Sequence, residues 1–259
     1  MDGVYSKEEI FEINKLSYLH DGSSIIFCKT DFILDEFKAI EQLGKDVTLI
    51  TGNSDYCITD QLVSLAPNNI KRWFCQNKMT GDHRVKSIPI GLENTIECFR
   101  PGHGYVWDHA GPKLEYLTAI TDIDPSELIY ANFNTNTNIT IRPFVKSICE
   151  QAEFITWESH GADYSSYIQN CLNHQMIVCP EGNGPDTHRF WETLYLNRVP
   201  IARLTKATED FEDLPVVWLN DWTELRDKNL ILDKFNKVKS NNKDLCLSSY
   251  WRNIINEVL

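Results

Sequence analysis

The sequence predicts an α/β protein made of two successive parallel-sheet units. Three observations predict it. Short apolar, β-rich runs alternate with helical patterns, which argues for a parallel sheet with helices on its faces. The runs end in loops rich in Gly, Asn and Asp. The alternation breaks at Pro101, Gly102, Gly104, Gly111 and Pro112 and then restarts. With 259 residues, 42% of them hydrophobic and 24% charged, the chain holds one large domain or two small ones.

In the first unit Ser24–Cys28 reads as a strand. Asp31–Leu43 reads as a helix with apolar Phe32, Leu34, Phe37 and Ile40. Val47–Thr51 is a second strand, ending in Gly52-Asn53-Ser54-Asp55, and Thr59–Leu65 forms a short helix. Ile70–Cys75 and Val85–Ile90 are further strands, the last closing with Gly91-Leu92-Glu93-Asn94. A helix over Lys113–Ile120 lies in the crossover, so the units divide as 1–120 and 121–259.

The second unit opens with a strand at Leu128–Phe133, a helix at Arg142–Ala152 and a strand at Phe154–Trp157. Tyr164–Leu172 is a helix and Gln175–Cys179 a buried strand. A helix opens at Asp186 or Thr187, strands follow at Val199–Ala202 and Val216–Leu219, and the tail from Leu247 is helical. Ligands of such sheets bind beyond the carboxyl ends of the strands. The loops Gly52–Asp55, Gly91–Asn94, Asn132–Asn134 and Pro180–Asp186 fall there.

The 25 Lys and Arg against 37 Asp and Glu give a formal charge of −12, and no basic run appears. That speaks against general nucleic-acid or anionic-membrane binding. The eight cysteines form no CxxC pair and do not cluster with histidine at ligand spacing, so zinc is not expected. Cys28, Cys75 and Cys179 fall in apolar strand runs and read as reduced core thiols. Residues 1–15 carry charges throughout and no run reaches a membrane span, so a cytoplasmic protein is expected.

The richest stretch runs from Cys179 to Leu196. A strand, a loop holding Gly182 and Gly184, and a helix start together make an anion site, because N–H groups and the helix dipole point outward there. Arg189 and Glu192 lie three apart on one helical face. This pair suits a nucleotide diphosphate, with the arginine on phosphate and the carboxylate on ribose hydroxyls. The bland alternative is a capped core helix with an ion pair. Trp191 reads as core, as does Trp157.

Cys-Pro-x-Gly-x-Gly-x-Asp-Thr-His-Arg-x-Trp-Glu-x-Leu-Tyr-Leu-x-x-x-Pro-Ile, from Cys179 to Ile201, resembles the nucleotide-sugar motif of exostosin-like glycosyltransferases. The likeness is closest to the compact forms of bacteria and large DNA viruses. Tyr130–Asn134 with Arg142, Ile88–Asn94 and Leu219–Trp222 agree in order. The resemblance spans roughly residues 45–225 and is most specific in the second half. It implies a GT-B fold, with two Rossmann-like domains facing a cleft, the acceptor on the first and the donor on the second. It further implies inverting transfer from a UDP-sugar, UDP-xylose first, to a glycan acceptor, with no obligatory metal or other cofactor. On matching positions Arg189 and the N–H groups near Thr187 and His188 would bind the diphosphate and Glu192 the ribose. Arg142 would add a second positive charge.

An inverting transfer needs a base at a strand end of the first unit. Asp55 and Glu93 meet that positional test; Asp31 and His83 are weaker candidates. Asp55 equally suits a turn, and Asn132 and Asn134 either contact the donor or cap their strand end. Asp122-Ile123-Asp124 matches the Asp-x-Asp of metal-dependent GT-A transferases, whose carboxylates chelate a divalent ion. An inactive nucleotide-sugar or carbohydrate-binding module is the other alternative. A dehydrogenase is disfavoured because no G-x-G-x-x-G follows the first strand.

Overall fold

The computed structural model describes residues 24–92, 123–159, 164–238, 244–246 and 248–256. Two parallel sheets form the frame. The first joins β1 (Ile25–Lys29), β2 (Val47–Gly52), β4 (Ile70–Cys75) and β6 (Val85–Ser87) in the order β1-β2-β4-β6. A separate two-residue parallel pair, β3 (Ile58–Thr59) and β5 (Lys78–Met79), lies outside it. The second sheet joins β7 (Glu127–Ala131), β8 (Ile155–Trp157), β9 (His174–Val178), β10 (Val199–Arg203) and β11 (Val217–Leu219) in the order β11-β10-β9-β7-β8. The chain therefore moves one way from β7 to β8 and the other way from β9 to β11. The reversal, between β7 and β9, is the switch point at which open α/β sheets bind ligands.

Seven α-helices are described: α1 (Ile33–Gln42), α2 (Asp60–Ser64), α3 (Arg142–Gln151), α4 (Tyr164–Asn173), α5 (His188–Tyr195), α6 (Lys228–Asn236) and α7 (Ser248–Asn256). Strand alternation sorts the side chains between three cores, since successive residues face opposite sides of a sheet. Ile26, Cys28, Leu49, Trp73 and Cys75 pack with α1 and α2. Ile129, Ala131, Met176, Val178 and Ile201 pack with α3 and α6. The opposite faces share one core: Phe27, Ile50 and Phe74 of the first sheet join Tyr130, Ile177 and Ala202 of the second, with α4, α5 and α7.

Several boundaries differ from expectation, each for a local reason. The first helix buries Ile33, Phe37 and Ile40, whereas Phe32 and Leu34 are exposed. A 3-10 turn over Thr30–Phe32 precedes it and resets the helical phase. The run Val85–Ile90 ends as a strand at Ser87, because Pro89 has no N–H and the Ile90 N–H donates to Asp186 Oδ2 at 2.8 Å. Helix α6 is additional to the expected elements; the Asp227 side chain caps it through the N–H groups of Asn229 and Leu230, and Ile231 anchors it in the core. Thr59 likewise caps α2, accepting from Leu62. The expected helix 113–120 and the boundary at 120/121 lie outside the described residues.

Ion pairs and loops then tie the sheets together. Lys78 Nζ, almost wholly buried, lies 2.7 Å from Asp210 Oδ2 and 3.0 Å from Glu209 Oε1. Asp210 Oδ2 also accepts the Ser87 N–H at 2.7 Å. Burial alone would raise the Asp210 carboxyl; the hydrogen bond from Lys78 overrides it and holds the group below its ordinary value.

Candidate functional site

The loops after β7 and β9 meet at the switch point, and Arg142 stitches them together. Its Nε donates to Glu181 O at 2.8 Å and its Nη2 to Pro180 O at 3.2 Å. Its Nη1 donates to Asn134 O at 2.9 Å and Thr137 Oγ1 at 2.6 Å. Four of the five guanidinium N–H groups are thus committed to the two loops. Burial, aided by the charge of Arg189, lowers its pKa to about 10. Expected to contribute charge to a donor, Arg142 is found tying the loop after β7 to the loop between β9 and α5. Asn138 adds a further tie, donating to Gly182 O at 3.0 Å.

Both loop glycines are explained by crowding. A Cβ on Gly182 would stand 3.0 Å from Arg142 Nη2, and one on Gly184 only 2.8 Å from the Asn77 amide. Neither neighbour yields easily, because Arg142 is held by its hydrogen bonds and Asn77 is 2% exposed. These glycines, expected as part of an anion-binding loop, leave room for two buried side chains.

Helix α5 opens beyond them, with Thr187 as its N-cap. Asp186 organises the approach. Its carboxylate accepts from Ile90 N–H, from Thr187 N–H at 2.8 Å and from the Trp191 indole at 2.9 Å. Burial nevertheless pushes this carboxyl up to about 7. The Thr187 N–H, one of the expected phosphate donors, is therefore already taken. His188 Nδ1 lies 2.8 Å from Gly91 O and must be its protonated nitrogen there, so this side chain also ties α5 to the first sheet.

Arg189 and Glu192 do share a face, and it turns toward α4. The Arg189 guanidinium stacks 5.0 Å from the centre of the Tyr167 ring. Among the described residues its buried Nη1 has no hydrogen-bond partner. A buried, unpartnered cationic nitrogen is costly and requires an explanation. Glu192, 4% exposed, accepts from the Tyr164 hydroxyl at 3.4 Å.

Asn132 is buried and points its amide toward Glu158 Oε2 at 3.4 Å and Ser159 O at 3.5 Å. Glu158 also accepts from Tyr130 and from Asn170, forming a polar cluster between the ends of β7 and β8 and α4. Asn134 caps the 3-10 turn Thr135–Thr137, its side chain accepting the Asn136 N–H at 2.9 Å. On the other side of α5, Cys179, Glu181, Thr187, Phe190 and Arg203 border a depression of about 10 Å³, room for roughly one water molecule.

Asp55 is exposed and reaches the loop between β9 and α5 directly: its Oδ2 accepts from Asn183 Nδ2 at 3.3 Å. Glu93 lies outside the described residues. Asp31 pairs with Lys29 at 3.7 Å, and His83 is exposed beside Asp82. Asp122 is undescribed; Asp124 is exposed and precedes β7, at the amino ends of the strands, opposite the loops above. Among the described residues no group of three or more His, Cys, Asp or Glu is placed to hold a metal ion. The described cysteines are free, with Cys28, Cys75 and Cys179 buried as expected. No described helix is long and apolar enough to cross a membrane.

The sequence reading missed Gln76, Asn77 and Lys78, three consecutive buried polar residues at the carboxyl end of β4. Gln76 accepts from Asn53 N–H at 2.8 Å and donates to Pro89 O at 3.3 Å, joining two loops of the first sheet. A signal existed: a polar run directly after an apolar central strand, at the edge where ligands bind. The chain matches no protein-family model and no curated protein at a significant level.

Proposed function

We propose that the chain is a glycosyltransferase of GT-B type, transferring sugar from a UDP-sugar to a hydroxyl of a glycan acceptor with inversion. UDP-xylose is the first donor to test. Arg189 carries the proposal, because its buried Nη1 has no hydrogen-bond partner among the described residues and it stands at the start of a helix that follows the switch-point strand β9. An anionic group there would meet both the guanidinium and the positive end of the helix. Glu192 would take the ribose hydroxyls. The same cationic charge would stabilise departing UDP as the glycosidic bond breaks.

Asp55 stands on the opposing loop as the base for the acceptor hydroxyl, supported by its contact with Asn183. Arg142 and Asn138 act by holding the loop, and Asn132 by closing the cluster at the strand end. Calorimetry with UDP tests the donor assignment. Arg189→Ala should weaken UDP binding by on the order of 10- to 100-fold, the loss of one or two charge-assisted hydrogen bonds. Glu192→Ala should also weaken it. Unchanged affinity in both variants would move the donor elsewhere.

A further inference from the structure

We infer that Asn77 is the positioning residue that sets the gap between the acceptor-side and donor-side loops; this rests on the transferase reading above. Asn77 follows β4 and is 2% exposed. Its amide faces both loops at once. Nδ2 donates to Ser54 O at 2.9 Å, in the loop that carries Asp55. Oδ1 accepts the Asp186 N–H at 3.2 Å, one residue before the cap of α5. Gly184 leaves the space in which this amide lies.

The side-chain chemistry is selective. Asn77 has φ 56, a left-handed conformation that Asn tolerates better than other residues with side chains. Aspartate would lose the bond to Ser54 O and set a second carboxylate beside Asp186. Glutamine carries one methylene more into a space already closed by Gly184. Only a short side chain with both a donor and an acceptor spans the two loops here. The contact between Asp55 and Asn183 lies beside that span, so the amide fixes where the base stands relative to the donor loop.

Asn77→Gly removes the amide and keeps the backbone conformation accessible. Hydrogen exchange should then accelerate at Asp186 and in residues 53–56, with the β2 and β9 amides unchanged. Transfer should fall roughly 10²-fold in kcat, the scale of an ångström of misplacement, with UDP affinity retained. If this variant does not fold, Gly184→Ala displaces the same amide from the other side and should give the same local exchange pattern. Uniform acceleration over all amides, or kcat unchanged in a folded variant, would overturn the positioning role while leaving the transferase reading intact. A wild-type chain that releases UDP from no UDP-sugar would remove both.

Discussion

Replacing Arg142 by alanine should destabilise the protein by about 3 to 5 kcal/mol, a large effect for one residue. The side chain is buried, and its removal takes the guanidinium donors from the buried Pro180 O and Glu181 O and breaks its bonds to Asn134 O and Thr137 Oγ1, which keep their bond to each other. Unpaired buried acceptors cost far more than the net worth of the bonds they lose. Lysine should not rescue the loss, because a single ammonium cannot reproduce the planar fork that reaches both loops. Urea unfolding measures this as a lower midpoint at unchanged slope. A midpoint within error of wild type would show that the loops do not depend on the clamp.

Replacing Asp55 by asparagine should lower transfer by roughly 10²- to 10⁴-fold, the range expected for loss of a general base. The substitution is nearly isosteric, and its amide oxygen still accepts from Asn183, so the loop contact is kept. The residue is exposed, so stability should stay within about 0.5 kcal/mol of wild type. UDP affinity should not change, because the donor side is untouched. Transfer kinetics set against calorimetry separate these effects. Transfer at the wild-type rate would assign Asp55 a loop role and make Glu93 the leading base.

Much of the fold was legible because burial on both faces leaves apolar runs that survive inspection. Ile70–Cys75 was read to the residue, and β1, β2, β7, β9 and β10 within about two residues, as boundary reading allows. The pair β3–β5 was not legible, since two residues carry no periodicity. Helix α6 was hidden by its mixed sequence, although Asp227 announces its start. At the site, the strand–loop–helix order and the shared face of Arg189 and Glu192 were readable from local spacing. The roles of Arg142, Gly182, Gly184 and Asn77 were not. Each depends on a partner distant in sequence, and one sequence records which residues are polar without recording whom they meet.

A UDP-sugar donor is proposed to bind at α5 without help from a metal. Release of UDP from a panel of UDP-sugars, measured with glycan acceptors in the presence of EDTA, tests that claim most directly. The prediction is release from at least one UDP-sugar at a rate that EDTA leaves unchanged. No release from any of them, or release only when divalent ions are restored, would contradict it.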